Sequence, residues 1–208
     1  MVIVGLDLSL NCTGVCVYTE ATQRRRAQTF YYNIIADHSL TKKNTELYHS
    51  IEYGLLHKDI GGTYSPLIYN HISTPKSASH NEKENATSDN IHQILYRLKS
   101  IIKKHKPDAV VIESPTARAM GHTADLAGLN HCIREHLIEV GVEFYMVAPT
   151  HLKKVFTGNG AAPKELMIDC WKQSDSNISC LEILPKVDDL ADAYALTQTF
   201  LGIFKNNS

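Results

Sequence analysis

The chain has 208 residues, with 21 Lys+Arg against 22 Asp+Glu, a formal net charge of −1 and 43% hydrophobic residues. That length suits one domain, residues 1–208, with room for an insertion, and the apolar fraction suffices for a sizeable core. No stretch approaches the ~18 consecutive apolar residues of a membrane span, and the near-neutral balance lacks the basic excess that usually marks a nucleic-acid binder.

Met1 to Asp7 has no basic leader and meets a carboxylate at once, so it does not read as a secretory signal. Val2 to Leu8, Thr13 to Tyr18 and about Ala27 to Ile35 read as three strands rich in β-branched and aromatic residues. Their short connections, Ser9-Leu10-Asn11 and Thr22 to Arg26, favour an antiparallel meander. Residues 45–58 have a weak helical period (Leu47, Ile51, Leu55) broken by Gly61-Gly62, and Asn70 to Asn90 is polar enough to predict an exposed loop. Ile91, Ile94, Leu95, Leu98, Ile101 and Ile102 form an apolar stripe at helical spacing that stops before Pro107. Ala109 to Glu113 then reads as a buried strand, Thr123 to Val140 as a helix and Glu143 to Val147 as a further strand, a crossover unit implying parallel strands. After Pro149 come a basic segment, a Gly158-Asn159-Gly160 loop, a helix near Lys164 to Trp171 and a last helix from about Asp188 to Phe204. The whole predicts a mixed α/β sheet with helices packed on it. Five cysteines (Cys12, Cys16, Cys132, Cys170, Cys180) without a Cys-x-x-Cys pair point to reduced thiols and away from zinc.

Four acids stand out against this frame. Asp7 sits inside an apolar strand, Glu113 at the end of another, and Asp189 and Asp192 on one face of a helix whose alanines suggest close packing. An uncompensated charge in such surroundings is costly. Taken singly, each is an ordinary turn or cap residue, and Asp188-Asp189 suits a helix N-terminus in any case. Taken together, acids on three separate apolar elements are expected to converge. Clustered carboxylates need cations between them, and oxygen ligands without Cys or His suit Mg²⁺ or Mn²⁺. Two such ions stabilise the attacking and leaving oxygens of an in-line displacement at phosphorus, so the chemistry suggested is metal-assisted phosphodiester hydrolysis.

Gly5-Leu6-Asp7-Leu8-Ser9 followed by Thr13-Gly14-Val15 resembles the first strand and turn of the RuvC-like Holliday-junction resolvases. Val111-Ile112-Glu113 is similar to their strand-borne glutamate, and Asp189-Leu190-Ala191-Asp192-Ala193 resembles their Asp-x-x-Asp-Ala helix. Leu152 to Lys164 resembles the family's Val-Lys…Gly-x-Gly…Lys loop. The ordered set spans the chain apart from residues 37–90, which form an insertion of unassigned purpose. The resemblance implies an RNase H-like fold, a homodimer, two-metal cleavage with Mg²⁺ replaceable by Mn²⁺, and a four-way DNA junction as substrate. It makes Asp7, Glu113, Asp189 and Asp192 metal ligands, and sets Lys153 and Lys164 on the phosphate backbone near the cut, Lys153 also as a catalytic charge. Lys154, Gly158 and Gly160 complete the DNA-binding loop, the glycines permitting close backbone approach to phosphate. Asp188 competes with Asp189 for the ligand role, and the motif spacing favours Asp189. The residues after Glu113, Ser114-Pro115-Thr116-Ala117-Arg118, lack the aromatic that family members may place there. Another branched or hybrid nucleic acid, or an actin-like kinase or ATPase sharing the Gly5-Leu6-Asp7 opening, are the alternatives.

The neutral total conceals segregated charge. Arg24, Arg25 and Arg26, the run Arg97, Lys99, Lys103, Lys104, Lys106, and the lysine loop are basic segments that could track phosphates, the run at 97–106 being equally an ordinary solvated helix face and the lysine loop the better candidate; acids, four of them at the expected metal site, offset them. Two divalent ions there would move the net charge from −1 to about +3. Six of the ten tyrosines (Tyr31, Tyr32, Tyr48, Tyr53, Tyr64, Tyr69) lie between positions 31 and 69, where most are expected to serve packing and one or two are candidates for stacking on unpaired bases. Apolar residues of the Thr123 to Val140 helix are the expected dimer contact. A cytoplasmic setting, bacterial or phage-infected, is expected, with the insertion favouring a phage; no membrane or small-molecule partner is. Of the histidines, only His151, beside the lysine loop, merits a substitution.

Overall fold

The computed structural model describes residues 1–52, 64–115, 123–175, 181, 184 and 186–206. The predicted meander is present as β1 (Val2–Asp7), β2 (Cys12–Thr19) and β3 (Gln28–Ala36), paired antiparallel. The turn leaving β1 is closed by Thr13, whose hydroxyl donates to the Ser9 carbonyl at 2.7 Å and accepts from its N–H at 3.1 Å. Helix α1 (Lys42–Glu52) precedes β4 (Tyr64–Tyr69), which pairs parallel with β3. β4 was not predicted from sequence. It contains Pro66, which lacks an N–H and is tolerated because β4 is an edge strand.

The polar run to Asn90 is not all loop. Helix α2 (His80–His105) begins eleven residues before the apolar stripe. A capping box starts it: the Glu82 N–H donates to Ser79 Oγ at 3.3 Å and the Ser79 N–H to Glu82 Oε2 at 2.7 Å. Asn90, buried, accepts from the Ile72 N–H at 2.9 Å and donates to the Ile72 carbonyl at 3.0 Å, tying the extended segment to the helix. Beyond α2 come β5 (Ala109–Glu113), α3 (Thr123–Glu139) and β6 (Glu143–Val147), the expected parallel crossover. The basic segment after Pro149 is also helical: α4 (Pro149–Thr157) has Pro at its first turn and ends on Gly158, whose φ of 81° closes the helix in the left-handed region. α5 (Lys164–Ser174) and α6 (Val187–Asn206) complete the chain.

The sheet order is β4-β3-β2-β1-β5-β6. Side chains alternate across it. Val4, Leu6, Val110 and Ile112 meet α2 and α3 on one face through Ile94, Leu98, Leu129, Ile133 and Leu137. Ile3, Ala109 and Val111 meet α6 and α4 on the other through Ala195, Leu196 and Leu152. α5 is fixed beneath β3 by a buried triad, Trp171 Nε1 donating to the Tyr31 hydroxyl at 3.0 Å and Tyr31 to Asp175 at 2.7 Å. The described tyrosines of the 31–69 cluster are all in the core: Tyr31, Tyr48, Tyr64 and Tyr69 are at most 1% exposed and Tyr32 5%. They cannot stack on bases; Tyr53 lies outside the described residues.

The apolar stripe of α3 is likewise consumed by its own core, since Leu129, Ile133 and Leu137 are fully buried. Ile138 near its end and Val140 just beyond it are large apolar side chains that stay exposed, so of the residues expected to meet a second chain these two are free to do so. Among the described residues no helix is long and apolar enough to cross a membrane.

Candidate active site

β1 and β5 run parallel at the centre of the sheet with Leu6 beside Ile112, so the register carries Asp7 alongside Glu113. Both side chains fall on the alternation that faces α6. On the other side of β1, Asp7 is paired with Gly14 of β2. Gly14 and Gly5 let α6 lie directly on the strands: a Cβ on Gly14 would stand 2.1 Å from the Asp189 carbonyl oxygen, and one on Gly5 2.0 Å from that of Ala193. Real Cβ contacts do not occur at such distances, so any side chain there would push the helix away. The glycines of the opening motif therefore set the distance between two acid-bearing elements, a role that residue spacing alone does not reveal. Between Leu190 and Leu201 only Asp192 and Gln198 are accessible on α6, a core helix with an acid window.

The acids act on one another. Burial holds the Asp7 carboxyl well above the usual range, reinforced by Glu113, Asp189 and Asp192 and opposed by Lys164. Glu113 is pushed up to about 7 by burial and Asp192, against Lys153. Asp189 and Asp192 each rise to about 6 through burial; a hydrogen bond from Cys12 restrains the first, and Lys153 and Lys164 restrain the second. The structure thus gathers the four predicted acids and both predicted lysines into one electrostatic group.

Asp188 is turned outward onto Lys164, which accordingly binds its proton more tightly, while Asp189 faces inward to Cys12. Lys154 is exposed and contributes to no acid's shift. Gly158 and Gly160 serve the α4–α5 turn, Gly158 as helix cap and Gly160 lying 3.1 Å, at its Cβ position, from the Thr150 carbonyl. His151 is exposed on α4. Ser114 and Pro115 line a shallow cleft of about 100 Å³ with Asp7, Glu113, Leu126 and Asn130; Thr116, Ala117 and Arg118 lie outside the described residues, as does Cys180.

Among the described residues no three His, Cys, Asp or Glu groups are gathered in a geometry that holds an ion as it stands. It is the chemistry of the donors that fits a hard divalent cation: four oxygen-only ligands whose mutual repulsion a bound positive charge would relieve.

The other predicted basic patches lie elsewhere. Arg24 to Arg26 belong to the β2–β3 connection, at the end of the sheet opposite Asp7, because β2 starts beside Asp7 and ends beside Val2. α2 ends there too: Asp108 bonds the Val2 backbone in both directions, at 2.7 and 2.8 Å. Arg97 is spent on the Gln93 and Ile68 carbonyls and the Tyr69 ring, and Lys104 on Tyr32. Lys99, Lys103 and Lys106 rim a larger cavity of about 620 Å³ that contains none of the four acids.

A mixed sheet with acids on its adjacent central strands and on the helix crossing them defines an RNase H-like nuclease fold. A family model described as "Crossover junction endodeoxyribonuclease RuvC" matches residues 53–200, a segment that holds Glu113, Asp189 and Asp192 and starts after Asp7. The RuvC of Alkaliphilus metalliredigens is 30% identical over 151 residues, covering 69% of this chain and 81% of the relative. That of Ruminiclostridium cellulolyticum is 30% identical over 151 residues, covering 69% and 80%. Among solved structures, Thermus thermophilus RuvC superposes with a TM-score of 0.56 at 18% identity, covering 94% of this chain and 90% of its own. The fowlpox virus resolvase, solved with substrate Holliday junction DNA, gives 0.52 at 11% identity, covering 98% and 99%. The chain belongs to the RuvC family of crossover junction endodeoxyribonucleases, and the actin-like alternative falls with that membership.

Proposed function

We propose that the protein resolves four-way DNA junctions by paired nicks, acting as a homodimer in the cytoplasm of a bacterial or phage-infected cell. One observation carries the reading: Asp7, Glu113, Asp189 and Asp192 form a single group in which burial and neighbouring acids raise each carboxyl. They would hold two Mg²⁺ ions, with Mn²⁺ as substitute, supplying charge for the attacking water and the leaving oxygen at the scissile phosphate. Lys153, beside Glu113 and Asp192, is placed to offset charge developing on that phosphate. Lys164, beside Asp188 and the inner acids, is placed to hold the flanking backbone, with Gly158 and Gly160 shaping the loop between the two lysines. Each chain supplies one set of these acids, so cutting two strands needs two chains. The chain works as one nuclease domain into which residues 37–90 are set.

The test is a synthetic four-way junction incubated with purified protein and Mg²⁺. Symmetrical paired nicks are expected, and Asp7→Asn should abolish them while sparing junction binding. Equal cutting of linear duplex would move the substrate to another nucleic acid, and cutting by Asp7→Asn would remove the acids from the reaction. Sedimentation as a monomer on the junction would refute the dimer.

A further inference from the structure

One buried polar chain is not used by the reaction as described. Cys12 of β2 is 2% exposed, and its thiol is hydrogen-bonded to the Asp189 carboxylate. The Cys12 sulfur accepts from Asn33 Nδ2 at 3.4 Å, and Asn33 Oδ1 accepts from the Tyr64 hydroxyl at 2.9 Å. Tyr64 in turn is hydrogen-bonded to the Tyr48 hydroxyl. Asn33 and Tyr48 are fully buried and Tyr64 is 1% exposed, so bulk water does not compete.

The chain has a direction. Tyr64 donates to the amide oxygen of Asn33, which orients the amide nitrogen toward Cys12. With a sulfur lone pair so occupied, the S–H is left to point at Asp189. A carboxylate oxygen only accepts, so in this pair the thiol is the donor. Donors aligned in series polarise one another in low dielectric, and the series ends on a carboxylate. Tyr48 and Tyr64 lie on α1 and β4, within the 37–90 insertion.

We infer that Tyr64, Asn33 and Cys12 are positioning residues, a donor relay by which the insertion holds the Asp189 carboxylate in orientation for its cation. The inference rests on the proposed role of Asp189 as a ligand. Groups that orient a ligand by hydrogen bonding commonly govern metal affinity about 10–100-fold, so the relay should be visible in binding as well as in rate.

The experiment is calorimetric titration of Mn²⁺ into full-length protein, beside Mg²⁺-dependent junction nicking and thermal melting in chelator. Cys12→Val, which keeps the shape and removes the donor, should weaken Mn²⁺ binding about tenfold with little change in melting. Cys12→Ser, which retains a donor, should recover much of that loss. Tyr64→Phe should weaken binding in the same direction by a smaller factor. If Asp189→Asn loses Mn²⁺ binding while Cys12→Val and Tyr64→Phe bind as wild type, the relay is overturned and the ligand assignment stands. If Asp189→Asn binds Mn²⁺ as wild type, the ligand assignment fails and the relay with it. A lower melting temperature with unchanged Mn²⁺ affinity would mark these residues as merely structural, also against the proposal.

Discussion

At the carboxyl end of β1 stand Asp7, Glu113, Asp189 and Asp192 with Lys153 and Lys164 around them; at the opposite end of the same sheet stand Arg24, Arg25, Arg26, Lys103 and Lys106. In the sequence both groups look like candidates for phosphate. In the fold the first mixes signs in a half-buried cluster rimmed by the exposed Lys164, while the second is exposed and of one sign. A basic run is a property of a segment, whereas a site is a meeting of segments. Which end of a sheet a turn occupies follows from strand pairing, which the local residues do not display.

Substitutions at the two ends turn this contrast into measurements. Gly14→Ala should have the largest effect, because the added methyl must displace the first turn of α6. A misplaced reacting group costs about 10²-fold in rate, and overpacking costs about 1–3 kcal/mol, read by single-turnover nicking and denaturant unfolding. Wild-type nicking by this variant would mean that α6 need not lie so close. Lys153→Ala comes next, with an expected loss of about 10²-fold in nicking rate and a smaller loss of junction affinity. Lys154→Ala, one position away but turned to solvent, is the control, and equal losses in both would blur the site's boundary. The smallest effect belongs to the far end. Joint replacement of Arg24, Arg25 and Arg26 by Ala should leave nicking unchanged and the slope of affinity against salt reduced by less than about 1. A steeper loss would bring that end into contact with DNA and erase the contrast.

Much of the candidate site was legible because acids in apolar strands are conspicuous: Asp7 and Glu113 stand out in the sequence, and Ala109 to Glu113 begins and ends where predicted. The choice between Asp188 and Asp189 required side-chain direction, which spacing does not contain. The start of α2 was missed because its inward positions, Ala86 and Asn90, are not visibly apolar; Asn90 is buried for its two hydrogen bonds to Ile72. β4 was missed because Pro66 argues against a strand until the strand is known to lie at an edge. The tyrosine cluster packs, as expected for most of it, and the stacking alternative fails because a polar hydroxyl on a large ring suits a buried network as well as a binding surface.

Val187 to Asn206 supplies Asp189 and Asp192, while Asp7 comes from the first strand. The acid cluster therefore exists only once the last helix has docked on the first two strands. A ribosome-bound chain that has not yet released α6 carries half the acids and no crossing helix, and a chain cut short before Val187 never acquires them. On the proposed role of these acids, the capacity to cut is tied to completion of the fold, and copies lacking α6 are expected not to nick DNA.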